Sequence, residues 1–131
     1  MNFLYSGAPK YWISAPSTST KNVWITIQEL GKHLHMKPYE KRFLLSPQLL
    51  SQYNVNTVEV FQFPGDVVIS AAGATHGGFN LGCNLAEAVN FIDHGDWVNM
   101  IDEMTEFYQS RDVGVPREIM LMAESIKNTT I

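Results

Sequence analysis

The stretch from Gly65 to Asn80, G-D-V-V-I-S-A-A-G-A-T-H-G-G-F-N, constrains the fold more than any other part of the chain. Pro64-Gly65-Asp66 turns the chain into the apolar run Val67 to Ser70, and Gly73, Gly77, Gly78 and Gly82 follow within a short span. Residues of these types break helices and mark turns between strands. The spacing describes a strand, a glycine-containing turn and a returning strand whose first inward side chain, His76, is an imidazole aimed into a small barrel. Neutral histidine is a common ligand for first-row metals, and a barrel mouth is sheltered yet leaves coordination sites open. The alternative role for His76 is a hydrogen-bonded core residue.

The rest of the chain alternates strand and helix signals. Asn2 to Ala15 is rich in aromatic and branched residues and reads as two strands, Phe3 to Ser6 and Tyr11 to Ala15, joined at Gly7-Ala8-Pro9. Pro16 to Thr20 is a polar turn, and Val23, Ile27, Leu30 and Leu34 repeat at helical spacing. Lys32, Lys37, Lys41 and Arg42 suit the negative end of that helix and a solvated face. Ser46 to Tyr53 predicts a short helix, with Ser46 as cap and Pro47 at the first helical position. Strand signals resume at Val58 to Phe63, continue at Val67 to Ser70 and return at Leu85 to Ile92. Trp97 to Tyr108 and Pro116 to Ile126 carry helical periodicity. The expectation is a mainly β chain with flanking helices (α+β): a β portion over 1–96 with a helical insert at about 21–53, then a C-terminal helical extension over 97–131.

Composition narrows the function classes. The 131 residues are 45% hydrophobic and 17% charged, the profile of one compact soluble domain. Nine Lys and Arg against thirteen Asp and Glu give a net charge of −4, so no basic field exists to grip phosphates and nucleic acid is not expected as a direct partner. Cys83 stands alone, which excludes an internal disulfide and a cysteine-built zinc site and points to a reducing, intracellular compartment. No apolar run reaches the ~18 residues of a membrane span, and no signal-peptide pattern opens the chain.

The Gly65–Asn80 spacing resembles the second signature motif of cupins, with Ala71 in place of the usual proline. More specifically, three segments resemble the JmjC family of Fe(II)/2-oxoglutarate oxygenases, closest to the JARID-type histone lysine demethylases. Asn2-Phe3-Leu4-Tyr5-Ser6-Gly7-Ala8-Pro9-Lys10-Tyr11-Trp12 is similar to that family's N-Y-L-H-x-G-x-P-K-x-W. Leu45-Ser46-Pro47 is similar to the segment before its penultimate strands. The run from His76 to Phe91, H-G-G-F-N-L-G-C-N-L-A-E-A-V-N-F, is similar to its H-x-G-F-N-x-G-x-N-x-A-E-A-V-N-F. The resemblance extends from Asn2 to about Trp97 and more weakly beyond.

The resemblance implies a partial double-stranded β-helix, a cupin-like jelly roll, with iron and 2-oxoglutarate as cofactors. It assigns His76 as the distal histidine of the iron triad and pairs Lys10 with the far carboxylate of 2-oxoglutarate. Asn2 and Asn80 would add hydrogen bonds, and Trp12 would wall the pocket. The chemistry agrees: an ammonium suits a buried carboxylate, amides give directed bonds, and an indole excludes water. Taken singly, Lys10 is an ordinary surface lysine, Trp12 a core residue, and Asn2 and Asn80 turn formers. The implied partner is a histone tail or other protein substrate, in the nucleus, without direct contact to nucleic acid or membrane. Ala88-Val89 matches the branch acting on lysine 4 of histone H3.

A facial triad needs two further ligands, which the family draws from an H-x-D or H-x-E shortly before the counterpart of Asn2, and the sequence in hand starts after that point. His94-Gly95-Asp96 has the right spelling but lies after the distal histidine. His33-Leu34-His35 with Glu40 echoes a cupin first motif, but its surroundings read as helix. Three functions therefore stay open: part of an active JmjC dioxygenase, an inactive JmjC remnant serving as a binding or scaffold module, and a small self-sufficient metal cupin using His33, His35, Glu40 and His76. An incomplete barrel leaves strand edges unpaired, so self-association or a partner that completes the barrel is expected.

Overall fold

The computed structural model describes residues 1–34, 44–91 and 125. Met1–Phe91 forms one compact unit and Ile92–Ile131 a second. The strands are β1 (Asn2–Gly7), β2 (Lys10–Ala15), β3 (Val58–Gln62), β4 (Val67–Val68), β5 (Thr75–Asn80) and β6 (Asn84–Ala88). Between β2 and β3 lie a 3-10 turn (Ser17–Ser19), helix α1 (Thr20–Leu34) and helix α2 (Pro47–Gln52). Of the helices predicted beyond Trp97, only Ser125 lies within the described residues, and it is helical.

The strands make two antiparallel sheets of three, in the orders β4-β1-β6 and β3-β2-β5. Consecutive strands β1 and β2 thus sit at the centres of different sheets, the arrangement of a jelly roll. Gly7 makes the switch between them. Its φ is +96°, and a Cβ there would lie 2.5 Å from the Cys83 carbonyl oxygen, so only glycine fits both the backbone and the approach of the β5–β6 turn. Ala8 N–H then donates to that same carbonyl at 2.8 Å.

Two strands are shorter than their apolar runs predict. β4 pairs only as Phe3↔Val67 and Asn2↔Val68, so its ladder stops with β1 and leaves Ile69 and Ser70 outside it. β6 spans Asn84–Ala88, because its register on β1 runs from Gly7↔Asn84 to Asn2↔Ala88; of the predicted run Leu85 to Ile92, Val89 to Phe91 lie beyond the strand and Ile92 lies outside the described residues. Reciprocal bonds between Met1 and Val89, at 3.0 and 2.9 Å, close that ladder.

Alternation along β2 divides its side chains between two faces. Ile13 and Ala15 point outward into a core with Val23 of α1, Leu50 of α2 and Val55, flanked by Tyr11, Ile27 and Leu45. Each buried Val, Leu or Ile side chain there contributes about 1.5–3 kcal/mol. Helix α2 is closed at both ends by its sequence. The Ser46 hydroxyl accepts from Leu49 N–H at 3.2 Å, and Pro47 opens the first turn. At the other end Asn54 takes φ 58°, while Asn54 N–H donates to the Ser51 carbonyl and Val55 N–H to that of Leu50. This paired bonding caps the helix and brings Val55 onto Leu50 in the core.

Tyrosine–glutamate pairs tie neighbouring elements together. Tyr5 on β1 donates to Glu87 on β6 at 2.6 Å, and Tyr11 on β2 donates to Glu59 on β3. Both phenols are held above the ordinary tyrosine pKa, first by the hydrogen bond to the carboxylate; burial and the carboxylate charge add to it. Tyr53 is raised in the same way by Glu29.

Two outcomes test this account. Gly7→Ala should lower unfolding free energy by at least about 1 kcal/mol in chemical denaturation, with a shifted midpoint and an unchanged slope. In an alkaline absorbance titration, Glu87→Gln should move one phenol to lower pH, towards the ordinary value of about 10. A raised folded-state pKa means that the Tyr5–Glu87 bond contributes fully below the unfolded value and is lost as pH rises through the folded one.

Candidate functional site

The register of the β3-β2-β5 sheet assembles most of the predicted site. Lys10 lies opposite Gln62 and Asn80, Trp12 opposite Val60 and Gly78, and Ser14 opposite Val58 and His76. Directly opposed residues share a face, so Lys10, Trp12, Asn80 and His76 stand together on the face turned away from the helices. The Lys10 ammonium donates to Asn80 Oδ1 at 2.8 Å and lies 6.0 Å from the Trp12 ring centre. The Trp12 and His76 rings have centroids 6.2 Å apart with planes at 49°. Lys10, Tyr11, Trp12, Gly78, Phe79 and Asn80 line a depression where β2 and β5 pair.

His76 is exposed, and its Nδ1 lies 3.2 Å from the Ala74 carbonyl oxygen. A carbonyl only accepts, so Nδ1–H is the donor in this contact, which leaves Nε2 as the ring nitrogen that a metal would take. Gly78 allows the close approach of β5 to β2, since a Cβ there would fall 2.2 Å from the Tyr11 carbonyl oxygen.

Asn2 is on β1, in the other sheet, and its backbone carbonyl accepts from Gln62 Nε2 at 3.0 Å. Its Oδ1 is buried with no hydrogen-bond partner among the described residues. A buried amide left this way is costly and suits a ligand donor, or a rotated amide donating to an acceptor.

One residue of the assembly was not anticipated from sequence. Gln62 is fully buried, accepts from Trp12 Nε1 at 2.9 Å, and donates from Nε2 to the carbonyls of Asn2 at 3.0 Å and Asp66 at 3.1 Å. It therefore joins the two sheets at the site. Its signal was in the alternation of Val58-Glu59-Val60-Phe61-Gln62, which gives Gln62 the parity of two valines on the inner face.

Of the competing metal set His33, His35, Glu40 and His76, only His33 and His76 lie among the described residues. His33 is exposed in the last turn of α1, a helix where a barrel strand would be needed. His35, Glu40, His94 and Asp96 lie outside the described residues. No cluster of three His, Cys, Asp or Glu occurs among those described. On β6, Ala88 stands opposite Asn2.

The pattern of residues matches known proteins. The family described as "JmjC domain, hydroxylase" matches residues 1–91. Lysine-specific demethylase JMJ703 of Oryza sativa subsp. japonica is 31% identical over 131 residues, covering 93% of this chain and 10% of that protein. Lysine-specific demethylase 5D of Homo sapiens and that of Pan troglodytes are each 32% identical over 117 residues, covering 83% of this chain and 7% of theirs. The chain thus spans a tenth or less of the length of these relatives. With the family match over both sheets and the jelly-roll arrangement of its strands, the chain belongs to the JmjC domain family.

Proposed function

We propose that this chain forms the 2-oxoglutarate-binding part of an Fe(II)-dependent dioxygenase of the histone lysine demethylase type, acting on chromatin in the nucleus. The observation that carries the proposal is the gathering of Lys10, Asn80, Trp12 and His76 on one face of the β3-β2-β5 sheet.

These residues fit the cofactors. 2-Oxoglutarate is a dianion, and Lys10 is a compact cation whose partner, Asn80, is an amide able to share a carboxylate. Trp12 supplies an apolar wall that limits water, which strengthens the attraction between ammonium and carboxylate. His76 offers Nε2 to a metal, with Nδ1–H fixed on the Ala74 carbonyl. A facial triad takes two further ligands besides His76, which the family supplies from an H-x-D or H-x-E before the counterpart of Asn2. When bound, iron and 2-oxoglutarate would supply, with dioxygen as oxidant, the chemistry that hydroxylates an N-methyl carbon: one oxygen atom goes to the methyl group and the other to 2-oxoglutarate, which leaves as succinate and carbon dioxide, and the hydroxymethyl amine breaks its C–N bond to release formaldehyde and the demethylated amine. The net charge of −4 favours a basic histone tail as partner. Ala88, opposite Asn2, is a small side chain at the position the family places near the substrate's methyl groups.

Calorimetric titration of 2-oxoglutarate in the presence of Mn(II) tests this. Lys10→Ala should weaken binding tenfold to a hundredfold, the worth of one charge-assisted hydrogen bond of about 1.5–3 kcal/mol. His76→Ala should remove the dependence on Mn(II). Binding by Lys10→Ala at wild-type strength would contradict the proposal.

A further inference from the structure

We propose that Gln62 is a positioning residue for the co-substrate pocket, clamping the wall of one sheet to the amide-bearing strand of the other; this rests on the 2-oxoglutarate reading above. Gln62 sits on β3 opposite Lys10, with no exposed surface. Both ends of its amide are used. Oε1 accepts the Trp12 indole N–H at 2.9 Å, which fixes the ring orientation. Nε2 donates at 3.0 Å to the backbone carbonyl of Asn2 and at 3.1 Å to that of Asp66.

The consequence lies in what these bonds leave free. Trp12 N–H is consumed by Gln62, so the indole meets the pocket as an apolar surface and not as a donor. The Asn2 backbone is held while its side-chain oxygen stays buried and without a partner among the described residues. A single amide thereby sets the position of two pocket residues from different strands, and the β3-β2-β5 sheet is fastened to β1 at the point where Lys10 and Asn2 would act on the same ligand. A residue needed only to fill the interior at this position would be apolar, as Leu4, also fully buried, is.

The test compares wild type with Gln62→Met, which keeps length and loses both bonds, and Gln62→Glu, which keeps the acceptor for the indole and loses the donor. Val55→Ala, in the core on the opposite side of the sheet, serves as a control for general destabilisation. The readouts are the dissociation constant for 2-oxoglutarate with Mn(II), scaled to folded protein, and the Trp12 indole N–H resonance, assigned with Trp12→Phe. Gln62→Met should weaken binding tenfold or more and move the indole resonance upfield. Gln62→Glu should keep a hydrogen-bonded indole yet still weaken binding, and Val55→Ala should bind as wild type. Wild-type affinity in Gln62→Met, or equal weakening in Val55→Ala, would overturn the inference while leaving the pocket itself intact. A wild-type protein that does not bind 2-oxoglutarate would overturn both.

Discussion

The pairing of β2 with β5, running from Lys10↔Asn80 to Ala15↔Thr75, is the constraint on which the other features depend. Because side chains alternate, a slip of one residue would send either the Lys10 face or the His76 face to the wrong side. In the observed register, Lys10 meets Asn80 and Trp12 comes within 6.2 Å of His76 while Ile13 and Ala15 reach the core. Two glycines protect this register by different means. Gly78 lets the strands approach, and Gly7 carries the chain from one sheet to the other with a backbone angle that other residues resist.

The two faces of the β3-β2-β5 sheet divide the work between stability and chemistry. Helices α1 and α2 cover the outer face through Val23 and Leu50, and the capping of α2 on both ends fixes where Val55 enters that core. The inner face carries a cation, two amides, an indole and an imidazole, and polar groups in a core position are retained only where bonds or ligands satisfy them. Gln62 is satisfied by three bonds and Lys10 by Asn80. Across from that face, on β1 of the other sheet, Asn2 has its backbone carbonyl held by Gln62 while its Oδ1 is buried without a partner among the described residues.

Much of this was legible in the sequence because it rests on local signals. The Ser46-Pro47 cap, the Gly7 and Gly65 turns and the helical spacing of Val23 and Ile27 each act within a few residues. The family motifs then identified Lys10, Trp12, Asn2, Asn80 and His76 as residues to watch. What the sequence hid was long-range. β4 and β6 are shorter than their apolar runs because their ladders end with β1, a fact about a partner some 65 to 85 positions away in the numbering. Gln62 escaped notice because a glutamine between two phenylalanines looks like an ordinary strand residue until its amide is seen bridging Trp12 and Asn2.

The central claim is that the inner face of this sheet, and not the helical segment around His33, is where metal and co-substrate chemistry belongs. Paramagnetic broadening by Mn(II), followed by two-dimensional NMR on the full chain with 2-oxoglutarate present, addresses it directly. The account predicts selective loss of signal from His76, Ser14 and the Trp12 indole, with Ile13 and Val23 on the opposite side and His33 in α1 retained longer. Broadening centred on His33, with His76 and Trp12 unaffected, would contradict it.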